Sequence, residues 1–206
     1  MNLGIPYMGS KRKLASDILS KITARHQGIT DFYDLFGGGG AISFTAIRDY
    51  RFNVHYNELN KHIYSLVEYL KNNKELEAKF YEWVTREEFH KQVNKTNEDA
   101  DWYSGFVATC WSFGNNSEKG YLYGEDIENI KRLAHEFIVN LDLNAMKEIG
   151  VNIPELINIS GVQNRRVKFC NWIKKEDKNR FDVQSLERIV QLERIQNLQN
   201  LQNLKT

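Results

Sequence analysis

Between Asp34 and Glu58 the sequence sets four consecutive glycines, Gly37, Gly38, Gly39 and Gly40, directly before an apolar stretch. The first acid lies within the run "DFYDLF" (31–36), and the second ends "FNVHYNE" (52–58), 18 residues beyond Gly40. A tight turn needs one glycine or two, so four imply that something comes very close to this backbone. Three readings are open. One is a tight strand-to-helix connection with no ligand. Another is a dinucleotide site, but G-x-G-x-x-G needs a third glycine for helix packing. Counting from Gly37 puts Ile42 there, and counting from Gly38 puts Ser43 there. The third is an S-adenosylmethionine site, with Asp34 at a strand end, small residues under the amino-acid moiety, and Glu58 for the ribose hydroxyls. In that reading the glycine N–H groups and the following helix N-terminus face the ligand carboxylate.

The surrounding pattern supplies elements to hold such a loop. "SKRKLASDILSKI" (10–22) spaces Leu14, Ile18 and Ile22 as a helix with Ser10 as its N-cap. Lys11, Arg12 and Lys13 then fall in its first turn, where the helix dipole disfavours cations and an anionic partner would relieve them. Residues 31–36 read as a strand, 41–50 as a helix and 52–58 as a second strand. "KHIYSLVEYLKNN" (61–73) is an amphipathic helix through Ile63, Leu66, Val67 and Leu70. Strand, loop, helix, strand, helix opens a doubly wound α/β sheet. From residue 74 to 160 helices follow without strands, among them "TREEFHKQV" with Thr85 and Glu88 in capping-box spacing, and 126–141. "RRVKFCNWI" (165–173) alternates like a strand returning to the sheet. The end, "LERIVQLERIQNLQNLQNLKT", repeats an aliphatic residue every third position: Leu186, Ile189, Leu192, Ile195, Leu198, Leu201 and Leu204. Each step of three falls about 60° short of a helical turn, so the stripe circles the cylinder. It reads as a helical or frayed tail in need of a partner.

Composition is that of an ordinary globular chain: 206 residues, 41% hydrophobic and 27% charged. Lysine and arginine (28) balance aspartate and glutamate (27), so net charge by itself names no polyanionic partner. The charge is nonetheless uneven. Lys11, Arg12, Lys13, Lys21 and Arg25 face only Asp17 in the first thirty residues. Arg165, Arg166, Lys168, Lys174, Lys175, Lys178 and Arg180 outnumber Glu176 and Asp177 in 161–180. Cys110 and Cys170 form no C-x-x-C pair and read as reduced thiols of a cytoplasmic protein. No stretch approaches the length of a membrane span.

"PYMGSKRKL", "DLFGGGGAIS" and "YNELNKHI", in that order, resemble the Dam-like adenine-specific DNA methyltransferases. "WSFGNNSEKGYLYG" (111–124) and "IKRLAHEFI" (130–138) are similar to the recognition insertion of the phage-type members. The resemblance implies a partial, doubly wound Rossmann-like α/β methyltransferase core over 1–73. A mostly helical DNA-recognition insertion would span 74–160, with a return strand and leucine-repeat tail over 161–206. It implies S-adenosylmethionine as cofactor, held by Tyr7, Lys11, Asp34, Gly37 to Gly40 and Glu58. Tyr7 would pack beside the cofactor and Lys11 would meet its carboxylate. It implies double-stranded DNA as partner, contacted by Asn115, Asn116, Lys119, Tyr121, Lys131, Arg132 and His135. Arg165 and Arg166, in the basic segment, are expected to meet DNA phosphates.

One family feature is missing. The catalytic loop, an acid or amide followed by Pro-Pro-Tyr or Ile-Pro-Tyr, has no counterpart here. The only prolines are Pro6 and Pro154, and "NIPELI" (152–157) has Leu156 where an aromatic belongs. No catalytic residue is assigned. The expectation is the cofactor-binding and DNA-recognition part of an adenine methyltransferase, to which a second polypeptide adds the missing strand and loop. The rival expectation is a non-catalytic DNA- or partner-binding remnant.

Overall fold

The computed structural model of the chain describes residues 3–73, 75–116, 119–176 and 189–202. Two compact units emerge, one of residues 1–80, 84–122 and 194–206, the other of 81–83 and 123–193. The fold is mixed and helix-rich, with a two-stranded parallel sheet among the described residues.

In the first unit, α1 (Ala15–Arg25) precedes β1 (Asp31–Asp34). The glycine loop leads into α2 (Ala41–Thr45), which continues as one π-helical turn, Ala46–Tyr50. β2 (Asn53–Tyr56) then pairs parallel with β1, Asp31 opposite Asn53 and Asp34 opposite Tyr56. Side chains alternate in both strands. Asp31, Tyr33, Asn53 and His55 are exposed, and Phe32, Asp34, Val54 and Tyr56 are half-buried. α3 (Lys61–Asn72) starts where Asn60 Oδ1 accepts from the N–H groups of His62 and Ile63, a side-chain cap worth about 1 kcal/mol. Its predicted stripe, Ile63, Leu66, Val67 and Leu70, is buried.

α4 (Arg86–Val93) is capped by Thr85 as its spacing predicts, and α5 (Trp102–Cys110) by a reciprocal box between Asp101 and Ser104. α5 lies so close to α3 that a Cβ on Gly105 would stand 2.0 Å from the carbonyl oxygen of His62. The His62 ring completes this contact, 2.8 Å from Ser104 Oγ and 3.1 Å from Lys95 O. Phe80 stacks on Trp102 at 4.8 Å and meets Phe106 edge-on at 4.7 Å.

The second unit is helical. α6 (Glu125–Asn140), α7 (Leu143–Glu148) and α8 (Val162–Glu176) are joined by short turns, one of them a 3-10 turn over Pro154–Asn158. The predicted strand over 165–173 is corrected by α8. Its inward positions are Arg166, Phe169, Cys170 and Ile173, an i, i+3, i+4, i+7 face. An arginine fills the first of the four, which hides the helical period from a hydrophobicity count.

The leucine tail is helical, as one of its readings had it, and only its need for an outside partner is corrected. It forms α9 (Val190–Gln202), and Ile189, Leu192, Ile195, Leu198 and Leu201 are each 4% exposed or less. Leu186 and Leu204 of the repeat lie outside the described residues, as do Asp177, Lys178 and Arg180 of the basic segment. A stripe that circles a helix suits one buried on many sides, and the polar residues Gln191 and Arg194 are buried along with it. Arg194 Nη1 donates to the carbonyls of Cys110 (2.6 Å) and Ser112 (3.1 Å) at the end of α5, where a helix dipole welcomes a cation.

A smaller correction concerns the start of α1. The helix begins at Ala15 with Leu14 as cap in place of Ser10, so Lys11, Arg12 and Lys13 precede its first turn rather than forming it. Among the described residues no helix is long and apolar enough to cross a membrane.

Candidate functional site

The glycine loop lies at the carboxyl ends of the two parallel strands, where α/β folds place their ligands. Most of what comes close to it is the protein itself. A Cβ on Gly37 would lie 2.1 Å from the Tyr56 ring, and one on Gly39 would lie 2.9 Å from Ile5 O and 3.0 Å from Tyr7 Cβ. Gly40 has φ +71°, and a Cβ there would lie 2.6 Å from the Phe44 ring. Gly38 alone is roomy, with φ +49° and only the Tyr7 ring edge at 3.5 Å. The expectation that a ligand accounts for all four glycines is thereby corrected. Three are required by neighbouring side chains and backbone.

The N–H groups are likewise mostly engaged. Gly37 donates to Asn57 O (2.9 Å) and Gly40 to Gly37 O (2.8 Å). Gly38 donates to Glu58 Oε2 at 2.7 Å. The other Glu58 oxygen accepts from Asn60 N at 2.8 Å, so this carboxylate ties the loop to the start of α3. Asp34 Oδ2 accepts from Ser43 Oγ at 2.6 Å, and its Oδ1 has no partner among the described residues. Ile5 N donates to Gly39 O at 2.8 Å, which lays the N-terminal segment and Tyr7 along the loop. Lys11 stands nearby in sequence, exposed, its Nζ on Gly9 O at 3.0 Å.

Tyr56 is the residue that motif reading overlooked. Its hydroxyl donates to Gly38 O at 2.6 Å while its ring fills the space beside Gly37. Burial, then the negative charges of Glu58 and Asp34, push its hydroxyl well above the usual tyrosine range, so it stays a donor. The signal was present in "HYNE": Tyr56 alternates onto the same inner face as Val54. Ser43, which holds Asp34, was missed as well.

The predicted DNA-contacting residues fall in both units. In the first, Asn115 and Asn116 line a polar cleft of about 160 Å³ together with Tyr7, Met8 and Asn60. Lys119 is exposed. Tyr121 is 7% exposed and donates to Val84 O at 2.6 Å. In the second, Arg132 is exposed, on Asn129 Oδ1 at 3.0 Å. Lys131 and His135 are 3% and 0% exposed. His135 Nε2 donates to Tyr81 O (2.8 Å), and its Nδ1 accepts from Gln191 (3.1 Å).

Arg165 and Arg166 are turned into the second unit rather than outward. The Arg165 guanidinium donates to the carbonyls of Ile138 (2.5 Å), Val139 (3.0 Å) and Ile159 (3.3 Å), closing the end of α6. Arg166 pairs with Glu193. The outward residues of α8 are Asn164, Val167, Lys168, Asn171, Lys174 and Lys175.

The sequence model of the D12 class N6 adenine-specific DNA methyltransferases matches residues 7–203, in accord with the resemblance carried by the three N-terminal motifs. No match was found among curated proteins or among solved structures.

Proposed function

Because this chain belongs to the D12 class N6 adenine-specific DNA methyltransferase family, we propose that it binds S-adenosylmethionine at the glycine loop and double-stranded DNA beside it. The family's general chemistry is methylation of adenine in DNA. The observation that carries the cofactor assignment is the grip of Glu58 on Gly38 N–H at the end of β2, next to Asp34 at the end of β1. Each Glu58 oxygen accepts one N–H and keeps a further lone pair. Asp34 Oδ1 is uncommitted among the described residues. Two carboxylates with acceptor capacity suit a ligand that carries ribose hydroxyls and an ammonium group. In this reading Glu58 takes the ribose hydroxyls, and Asp34 with Gly38 borders the methionine moiety. Tyr7 packs alongside, and Lys11 offers a cation to the carboxylate. Bound there, the cofactor supplies an electrophilic methyl group.

The order β1, α2, β2, α3 supports reading residues 1–73 as the opening of a doubly wound Rossmann-like sheet. Residues 74–160 are then the DNA-recognition insertion and 161–206 the closing segment, which contains α8 and α9 among its described residues. Asn115, Asn116, Lys119 and Arg132 are the proposed DNA contacts, since amides and cations reach base edges and phosphates. Lys131, His135, Tyr121, Arg165 and Arg166 serve by holding the helices that present them.

Titration calorimetry tests the cofactor assignment. S-adenosylmethionine is expected to bind and NAD is not, because the loop lacks the third packing glycine of a dinucleotide site. Binding of NAD alone overturns it.

A second reading has one observation in its favour. Pro154 opens a 3-10 turn whose neighbours Ile153 and Leu156 are fully buried, so "NIPEL" is a packing element of the second unit. With no acidic-Pro-aromatic loop in the sequence, the chain would bind DNA and cofactor without orienting an acceptor, and proximity of that kind supplies about 7–11 kcal/mol of a barrier. Transfer of labelled methyl to DNA by residues 1–206, with and without a polypeptide bearing such a loop, separates the two readings. Activity only with the partner supports a divided methyltransferase, and none in either case supports a binding protein.

A further inference from the structure

α8 turns its cations in two directions, and the outward set has no counterpart in the protein. Between Glu155 and Glu176 the sequence carries no acid. Arg165 and Arg166 are spent inside the second unit, on the carbonyls that close α6 and on Glu193, with Phe169 and Ile173 buried on the same side of the helix. Lys168, Asn171 and Lys174 stand on the other side. They are exposed, with no hydrogen-bond or ion-pair partner among the described residues.

Local helix chemistry explains only part of this set. Lys174 suits the carboxyl end of a helix, where the dipole welcomes a cation. Lys168 lies mid-helix and has no such task. Asparagine is a weak helix former, because its amide competes for nearby backbone groups. Asn164 has a local use, since its Nδ2 donates to Ser160 O at 2.9 Å near the start of α8. Asn171 costs the helix and returns nothing to the fold.

At about 100° per residue, Lys168 and Lys174 stand about 60° to either side of Asn171, and Asn164 lies about 20° from it. Amides therefore run along the centre of the face, with an ammonium group on each flank. Val167 adds an exposed apolar group on the Lys174 side. This order decides between polyanions. A membrane-binding helix puts large apolar side chains at its centre, and an acidic peptide gives a central amide no defined partner. The major groove of B-DNA is about 12 Å wide and admits a helix, whose centre then meets base edges while its flanks meet phosphates. An asparagine amide pairs with the edge of adenine in bidentate fashion, and a small apolar side chain meets the thymine methyl group. A-form RNA closes that groove to side chains.

We infer that α8 enters the major groove of double-stranded DNA, with Asn171 on a base edge and Lys168 and Lys174 on phosphates to either side. The inference takes its partner from the methyltransferase reading, and adds three contacts to Asn115, Asn116, Lys119 and Arg132.

The test uses the full chain and fluorescence anisotropy with labelled duplexes, after selection of preferred sequences from a randomised pool. Lys168→Gln and Lys174→Gln should each weaken binding to every duplex severalfold and lower the slope of log K against log salt by about 1. Lys168→Arg should keep the native slope. Lys147→Gln removes the same charge from an exposed position on α7 and should leave the slope unchanged. Asn171→Ala should keep the slope and level the base preference at one position of the selected duplex. All these side chains are exposed, so thermal melts should match the native chain's. Equal slope changes for Lys147→Gln and the two α8 variants overturn the inference. A pool that yields no preferred base, or a preference that Asn171→Ala leaves intact, overturns it too, as does capture by polyglutamate or phosphatidylglycerol vesicles without binding to duplex. The functional reading fails on other results. A salt slope that falls only in Lys119→Gln and Arg132→Gln removes α8 and leaves that reading, whereas calorimetry without S-adenosylmethionine binding removes the cofactor site and leaves α8.

Discussion

The glycine run and the leucine repeat both look, in sequence, like segments waiting for something from outside. The folded chain meets them largely from within, though not to the same degree. Tyr56, Ile5, Tyr7 and Phe44 crowd three of the four glycines. Around the leucine repeat the described aliphatic positions are all buried, and Arg194 and Gln191 have partners inside the protein. The difference lies in what is left over. Beside the glycines, Asp34 Oδ1 and the lone pairs of Glu58 retain acceptor capacity close together, whereas the buried polar residues of the repeat, Gln191 and Arg194, spend theirs on partners inside the protein. Gaps in a sequence pattern are a poor guide to ligands. Polar groups still uncommitted after folding are a better one.

Truncating the repeat should break this contrast most visibly. Leu198 is fully buried, so Leu198→Ala is expected to cost about 2–5 kcal/mol through lost burial and a cavity. Asn197→Ala, half-buried one residue earlier, should stay within about 0.5 kcal/mol. Urea unfolding measures both. Equal, small effects would mean that the helix is a loosely attached tail after all.

Next in size comes the loop. Gly37→Ala drives a methyl group into the Tyr56 ring and should cost about 1–3 kcal/mol by overpacking. Adding Tyr56→Ala should recover part of that loss, a non-additivity expected of residues in contact. Thermal melts of the two single variants and the double variant suffice. Strict additivity would leave Gly37 to be explained by a ligand rather than by Tyr56.

Glu58 sharpens the comparison from the ligand's side. Glu58→Ala removes acceptors from Gly38 N and Asn60 N as well as from the proposed ribose contact. Affinity for S-adenosylmethionine should fall by about 1–3 kcal/mol, read by calorimetry. Unchanged affinity with lowered stability would confine Glu58 to loop support.

Much of the site's scaffold was legible because local chemistry fixes it. The strand end at Asp34, the stripe of α3 and the Thr85 cap follow from period and capping, and the structure has them, while β2 stops at Tyr56, two residues before Glu58. What escaped was set by tertiary contacts. Arg166 occupies an inward position on α8 and made a helix read as a strand, and Arg165 serves the end of α6 where a basic run suggested phosphate. Tyr56 carries no motif of its own, and its role depends on Gly37 and Gly38 being brought under its ring. A three-residue repeat gives no preferred face, so only the fold could reveal that its described aliphatic positions are all buried.

The smallest effect is a pH dependence seated at one polar residue of the repeat. Gln191 Nε2 donates to His135 Nδ1, Tyr123 OH donates to Gln191 Oε1, and His135 Nε2 donates to Tyr81 O. This arrangement needs a neutral imidazole, since a proton on Nδ1 would face a donor. Burial lowers the His135 pKa below its ordinary value, against the opposing pull of the Tyr81 carbonyl and Glu136. The unfolded chain, with histidine near its ordinary value of about 6.5, therefore takes up the proton first. Stability is complete above that value and falls as pH drops below it, by no more than about 1.4 kcal/mol per pH unit for one proton. Urea midpoints between pH 7.5 and 5 should decline for the native chain and less for His135→Gln, which removes the titrating group. Parallel declines would show that His135 does not titrate differently in the folded and unfolded chain, and that the buried polar positions of the repeat are held by packing alone.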